Sequence, residues 1–178
     1  DAMIEYVDVT PTFIDIAGLK APKTIEGKSF LTVLTGKKDR HKKYVYGMQT
    51  TRGIIKGSDH YGIRTIRSEK FRYIMNLTPE AKFENLVTNS FASGGTFYRS
   101  WIIKAARDPI AKNLVHKFHH RQAEELYDVV DDPLEMKNLA DNPQYSDIKK
   151  NLKKRLLKWM EKQGDKGQQT EMEALDHQ

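Results

Sequence analysis

A chain of 178 residues, 38% apolar and 30% charged, is long enough to bury a genuine core and ordinary enough in composition to fold as a globular unit. It holds no cysteine, which excludes disulfides, thiolate metal sites and a cysteine nucleophile, and no apolar run approaches the roughly 18 residues of a membrane span. The formal charge of +6 fits either a patch for a polyanion, such as nucleic acid or a sulfated glycan, or a plain solvated surface, and the second is the simpler reading.

The first residues, DAMIEYVDVTPTFIDIAG, begin without Met or leader inside a strand-to-helix connection, which reads as a piece of a longer protein. In the helix Thr10 is the cap, Pro11 takes the first helical position and Gly18 lies just past the end, with Phe13, Ile14 and Ala17 on one face. Residues 19–43 form a loop-rich connection broken by Pro22, Gly27 and Gly36, within which GKKDRHKK is a solvated charge run.

Strands follow. KYVYGMQT at 43–50 is β-prone, and GSD at 57–59 is turn chemistry. HYGIRTIRS alternates Tyr61, Ile63 and Thr65 against Arg64 and Arg67. EKFRYIMNL alternates Phe71, Tyr73 and Met75 against Arg72 and Asn76, and Ser68-Glu69-Lys70 joins the two as an antiparallel hairpin. Residues 78–123 are an irregular insertion, broken by the glycine pair at 94 and 95, whose best helix is YRSWIIKAA before Asp108-Pro109. ELYDV adds a short strand.

In EELYDVVDDPLEMKNLADNP the local chemistry predicts helix starts: Asp132 as N-cap, Pro133 at the first helical position and Glu135 completing a capping box. Asn142-Pro143 repeats the device and launches the last helix, along which Ile148, Leu152, Leu156, Trp159 and Met160 share a face while Lys149, Lys150, Lys153, Lys154 and Lys158 lie mainly off it. This face predicts that Trp159 is buried against the sheet. After Gly164 the apolar pattern is lost and a disordered tail is expected. The expected architecture is α+β within the α/β class: a small antiparallel sheet of about four strands packed against a long C-terminal helix.

Chemical constellations are sparse. ASGG lacks the lysine and flanking strand of a phosphate loop. His116, His119 and His120 have a spacing that could hold zinc, but with no carboxylate or cysteine partner a wet helix face is the better reading. The acids of LYDVVDDPLE serve caps and turns rather than calcium. In QTTRGIIKGSDHYGIRTIR, Arg52, His60, Tyr61 and Arg64 sit near turns and strand ends, where binding groups are commonly placed; surface arginines on one sheet face are the alternative.

Taken together, VDVTPTFIDIAGL followed by IEGKSFLTVLTG resembles the end of the catalytic domain in the type I, formylglycine-dependent sulfatases. YGIRTIRSEKFRYIMNL resembles their C-terminal sheet, and ELYDVVDDPLEMKNLADNP resembles their Leu-Tyr-Asp…Asp-Pro-x-Glu…Asn-Leu-Ala signature. The likeness covers residues 1 to about 165 and is nearest to the heparan N-sulfatase (sulfamidase) subgroup and its bacterial relatives. It implies an alkaline phosphatase-like sulfatase fold, with residues 1–36 closing the catalytic domain, 37–163 forming the C-terminal subdomain and 164–178 a disordered tail.

It also implies that the complete protein hydrolyses a sulfate ester or sulfamate of a glycosaminoglycan-type sugar. In such enzymes a hydrated formylglycine attacks sulfur while a metal and basic side chains stabilise the charge that develops on the sulfuryl oxygens. That nucleophile matures within Cys/Ser-x-Pro-x-Arg. None of the seven serines here opens such a motif, so no catalytic residue and no metal ligand is expected in this segment, and the segment alone is expected to be inactive. The resemblance further implies calcium in the complete protein, an N-terminal catalytic domain of the same chain as partner, a sulfated carbohydrate as substrate, and a periplasmic or secreted location. No nucleic-acid partner and no membrane span are expected. Arg52 and His60, with Arg64 beside them, are the substrate-binding candidates, although Thr50-Thr51-Arg52 stands where the animal members have a His-rich stretch. A phosphatase or phosphonate hydrolase of the same superfamily, or a stand-alone polyanion-binding module, are the alternatives.

Overall fold

The computed structural model describes residues 2–89 and 95–177. A 3-10 turn at Tyr6–Asp8 runs into α1 (Val9–Ile16), and a short α2 (Leu31–Leu34) follows. Next come β1 (Val45–Gln49), β2 (Ile63–Arg67) and β3 (Phe71–Asn76), then α3 (Thr96–Ala105) and α4 (Pro109–His119). The chain ends with β4 (Glu124–Asp128), the long α5 (Ser146–Lys162) and a short α6 (Gln168–Met172). The four strands form one antiparallel sheet in the order β1-β2-β3-β4, with Ile66 opposite Tyr73 and Tyr73 opposite Leu126. The expected sheet and hairpin are therefore present.

Alternation along a strand sends neighbouring side chains to opposite faces, and here both faces are covered. On one, Ile66, Tyr73 and Leu126 pack under Leu152, Leu156 and Met160 of α5, with Leu139 and Ala140 closing the edge. The i, i+4 spacing of the three α5 residues puts them in one stripe, as read from the sequence. Trp159 is only partly buried at the margin of that core, where it stacks on Tyr46 with ring centroids 5.1 Å apart. On the other face, Tyr61, Ile63, Ile74 and Tyr127 pack with Phe83 and Phe118. The described parts of the insertion at 78–123 thus supply the second layer of the fold. The glycine pair expected to break it includes Gly94, which lies with most of ASGG outside the described residues.

Several local readings change. The first helix starts earlier than Thr10-Pro11, because Asp8 closes the turn before it. Asp8 is fully buried, accepting from the amides of Glu5 and Lys28 at 2.9 Å each and from Lys42 Nζ at 2.7 Å. Burial opposes its ionisation, but Lys42 and these amides outweigh it and hold the carboxyl below its ordinary range. Lys42 and His41, which also faces Asp8 at 3.4 Å, are therefore not part of a solvated charge run. Asp132-Pro133 starts no helix: Glu135 adopts φ 54, outside the helical region, and the Asp132 carboxylate accepts from the Lys137 amide in a turn. Asn142 does cap as expected, accepting from the Gln144 amide ahead of α5.

The segment after Gly164 also departs from expectation. Gly164 turns the chain at φ 70, Asp165 and Glu171 become buried side chains, and Gln168–Met172 is helical. The apolar pattern is lost because this segment is held by buried polar groups. Among the described residues no helix is long and apolar enough to cross a membrane.

Candidate functional site

The connection between β1 and β2, residues 50–62, is pinned at both ends and open in the middle. At its start Thr51 is buried, and its hydroxyl accepts from the Tyr61 amide at 2.6 Å, which draws the two ends of the loop together. Tyr61 sits fully in the second core and acts as the loop's apolar anchor. Further along, the Ser58 hydroxyl donates to Lys82 O at 2.7 Å and accepts from the Glu84 amide at 2.6 Å, tying the loop to the insertion. Ile54 and Ile55 stand exposed at the tip.

Arg52 and His60 both turn toward one carboxylate. Arg52 Nη1 donates to Asp59 Oδ1 at 3.2 Å, and His60 Nδ1 lies 3.4 Å from Asp59 Oδ2. The side chains are 23%, 38% and 75% exposed for Arg52, His60 and Asp59, so the group opens to solvent rather than to the core. A guanidinium and an imidazole thus flank one exposed carboxylate as a two-pronged cradle, an arrangement whose chemistry suits an anionic oxygen group. Asp59 occupies that cradle here. In the sequence Asp59 reads only as turn chemistry within GSD.

Arg64 belongs elsewhere. It lies on the α5 face of the sheet, fully buried, with its guanidinium bound to both carboxylate oxygens of Asp165 and to the carbonyls of Gln49 and Ile63. No part of it is open to a ligand, so it does not join Arg52 and His60. The expectation failed because alternation alone assigns a charged residue to solvent, whereas both faces of this sheet are covered.

The histidine cluster is likewise divided. His116 and His120 are exposed and stack with centroids 4.6 Å apart beside an open cavity of about 670 Å³ that Lys117, Arg121 and Met136 also line. His119 is buried, with Nδ1 2.7 Å from Phe83 O and Nε2 against the Tyr98 hydroxyl. Its ring is a core hydrogen-bonding post. Arg121 forms a two-pronged pair with Glu125, which also accepts from Tyr127 and Asn76. Burial raises the Glu125 pKa, but Arg121 overrides that and holds the carboxyl ionised below its ordinary range. Among the described residues no group of three or more His, Asp or Glu is placed to hold a metal.

Comparison with known proteins places this geometry in context. The family model described as N-sulphoglucosamine sulphohydrolase, C-terminal, matches residues 1–86 and 106–162. An ulvan-active sulfatase of Formosa agariphila is 38% identical over 92% of the chain and 30% of its own length. The N-sulphoglucosamine sulphohydrolase of Homo sapiens is 28% identical over 89% and 32%. The chain thus spans about a third or less of these relatives. Among solved structures, a 2-O GAG sulfatase superposes with TM-score 0.57 at 23% identity, over 89% of this chain and 25% of that one. A structure solved in complex with its substrate D-glucosamine-2-N,6-O-disulfate gives 0.54 at 20%, over 90% and 24%. These likenesses establish the fold expected from the sequence.

Proposed function

The chain belongs to the N-sulphoglucosamine sulphohydrolase C-terminal family, and from that premise we propose that it is the C-terminal subdomain of an enzyme that hydrolyses sulfate esters or sulfamates on anionic sugars. Its own part in that reaction is recognition. The observation that carries this reading is the Arg52–Asp59–His60 cradle, with Arg52 Nη1 donating to one oxygen of an exposed carboxylate and His60 Nδ1 near the other, in a loop whose ends are fixed. In the complete enzyme a sulfate or uronate group of the sugar takes the place of the Asp59 carboxylate, and charge-assisted hydrogen bonds from Arg52 and His60 orient it. Relatives named for activity on ulvan and on N-sulphoglucosamine support a sulfated saccharide as substrate.

Residues 1–36 close the catalytic domain, and 37–163 form the subdomain that flanks its cleft. The exposed apolar side chains of Tyr6, Val7, Phe13, Ile16 and Leu34 are the surface on which the N-terminal catalytic domain packs. The complete enzyme acts in the periplasm or outside the cell and uses calcium. Its calcium ligands belong to the N-terminal catalytic domain.

The test is turnover of matched sulfate and phosphate monoesters by the complete protein. Faster hydrolysis of the sulfate supports the reading, and faster hydrolysis of the phosphate ester replaces it with a phosphatase.

A further inference from the structure

The segment after α5 reaches the recognition loop from inside the protein, and it lies outside the residues matched by the family model. Glu171, on α6, is 1% exposed, and its Oε1 accepts from two successive amides, Thr51 at 2.8 Å and Arg52 at 3.3 Å. Its second oxygen lies 3.8 Å from Arg64 Nη1, which supplies the compensating charge. A Cβ on Gly62 would come within 2.9 Å of that oxygen, so the far end of the loop also closes against this carboxylate. The same segment also makes two contacts beside the loop. Thr78 Oγ1 donates to His60 O at 2.8 Å and lies 3.1 Å from Gln168 Oε1, and Asp165 holds Arg64 just beyond the loop.

We propose that Glu171 is a positioning residue for substrate recognition. Its carboxylate fixes the Thr51 and Arg52 amides and so sets the direction in which the Arg52 guanidinium is presented. The inference rests on the reading of Arg52 as a substrate contact. A backbone held by one buried acceptor has few orientations available, and a side chain leaving that backbone inherits the restriction. A shared carboxylate does this better than two separate neutral acceptors, because hydrogen bonds to an ionised oxygen are the stronger kind. The arrangement explains why a polar segment of low apolar content is ordered: it is built around acceptors that the loop requires.

The experiment uses the complete enzyme with Glu171→Ala, Glu171→Gln and Arg52→Ala, read by residue-resolved hydrogen exchange and by kinetics on a sulfated oligosaccharide and an aryl sulfate. In Glu171→Ala the Thr51 and Arg52 amides should exchange at least about tenfold faster while the β2–β3 amides keep their protection. KM for the oligosaccharide should rise at least about fivefold more than KM for the aryl sulfate, the pattern of a lost ground-state contact. Glu171→Gln keeps the oxygen without the charge, should give a smaller rise at the same two amides, and serves if the Ala variant does not fold. Unchanged exchange at these amides in every folded variant overturns the inference. A selective loss in Arg52→Ala without one in Glu171→Ala also overturns it and leaves the recognition reading intact. If neither variant loses selectively, the recognition reading fails and the inference with it.

Discussion

Arg64 and Asp165 stand 101 residues apart in the chain and meet as a two-pronged ion pair, Nε to Oδ2 at 2.6 Å and Nη2 to Oδ1 at 3.2 Å, with the side chains 0% and 4% exposed. A pair this deep offsets its own desolvation only while both partners are present. Asp165→Ala leaves a guanidinium inside the protein with one carboxylate at 3.8 Å and two carbonyls. The expected cost is about 3–5 kcal/mol in denaturant unfolding. A loss below about 1 kcal/mol in Asp165→Ala would show that the pair is not closed in solution.

The β4 acid Glu124 gives the fold a defined acid sensitivity. It accepts from Tyr73 Oη at 2.5 Å and faces Lys153 Nζ at 2.8 Å and Lys149 Nζ at 3.4 Å. Burial works to raise its pKa, but Lys153 and Tyr73, with the charge of Lys149, bring it from 4.5 down to about 2. A carboxyl depressed in the folded state contributes stability above its unfolded pKa and loses it as pH falls through the folded one. Stability should therefore drop between pH 4.5 and about 2, and Glu124→Gln should flatten that part of the profile. Identical slopes in the two proteins would remove Glu124 from the account.

Trp159 stacks on Tyr46 at an interplanar angle of 5° and is only half-buried. Truncating a fully buried aromatic costs about 3–5 kcal/mol, so Trp159→Ala should cost less, about 2 kcal/mol, and Leu156→Ala, whose side chain is fully enclosed, about 3 kcal/mol. An unchanged denaturant midpoint for Leu156→Ala would mean that α5 does not pack on this sheet.

Tyr98→Phe should loosen the α3–α4 hairpin selectively. The hydroxyl is the partner of His119 Nε2, and both groups are buried. Leaving that nitrogen without its partner costs about 1–3 kcal/mol. Hydrogen exchange should rise in Thr96–His119 and not in β2 or β3. A uniform change across the chain would contradict the local role given to this contact.

Much of the fold was legible because it is written in local pattern. The strand at 45–49 is β-prone, those at 63–67 and 71–76 alternate apolar and polar residues, the hairpin has a short polar turn, and α5 repeats apolar residues at helical spacing. What failed depends on contacts far apart in sequence. Arg64 looked solvent-facing because nothing near it announces Asp165. Glu171 looked like part of a frayed tail because its partners, Thr51 and Arg52, lie 120 and 119 residues away. Asp132-Pro133 carries a capping pattern, yet Lys117 Nζ donates to the carbonyls of Glu135 and Met136 and the segment folds as turns. Of the proposed site, loop position in the sequence points to Arg52 and His60, whereas Asp59, which both side chains approach, reads only as a turn residue.

The most direct test of the recognition reading is a paired measurement of kcat/KM in the complete enzyme for Arg52→Ala and His60→Ala, using a sulfated oligosaccharide and a small aryl sulfate. On the recognition reading the oligosaccharide would set an anionic group against Arg52 and His60, whereas the only anionic group of the aryl sulfate is the one that reacts. Efficiency on the oligosaccharide should fall about 10- to 100-fold, as expected for losing a charge-assisted hydrogen bond, while the aryl sulfate changes little. Equal losses on both substrates, or none on either, would contradict the account and leave these side chains a purely structural role.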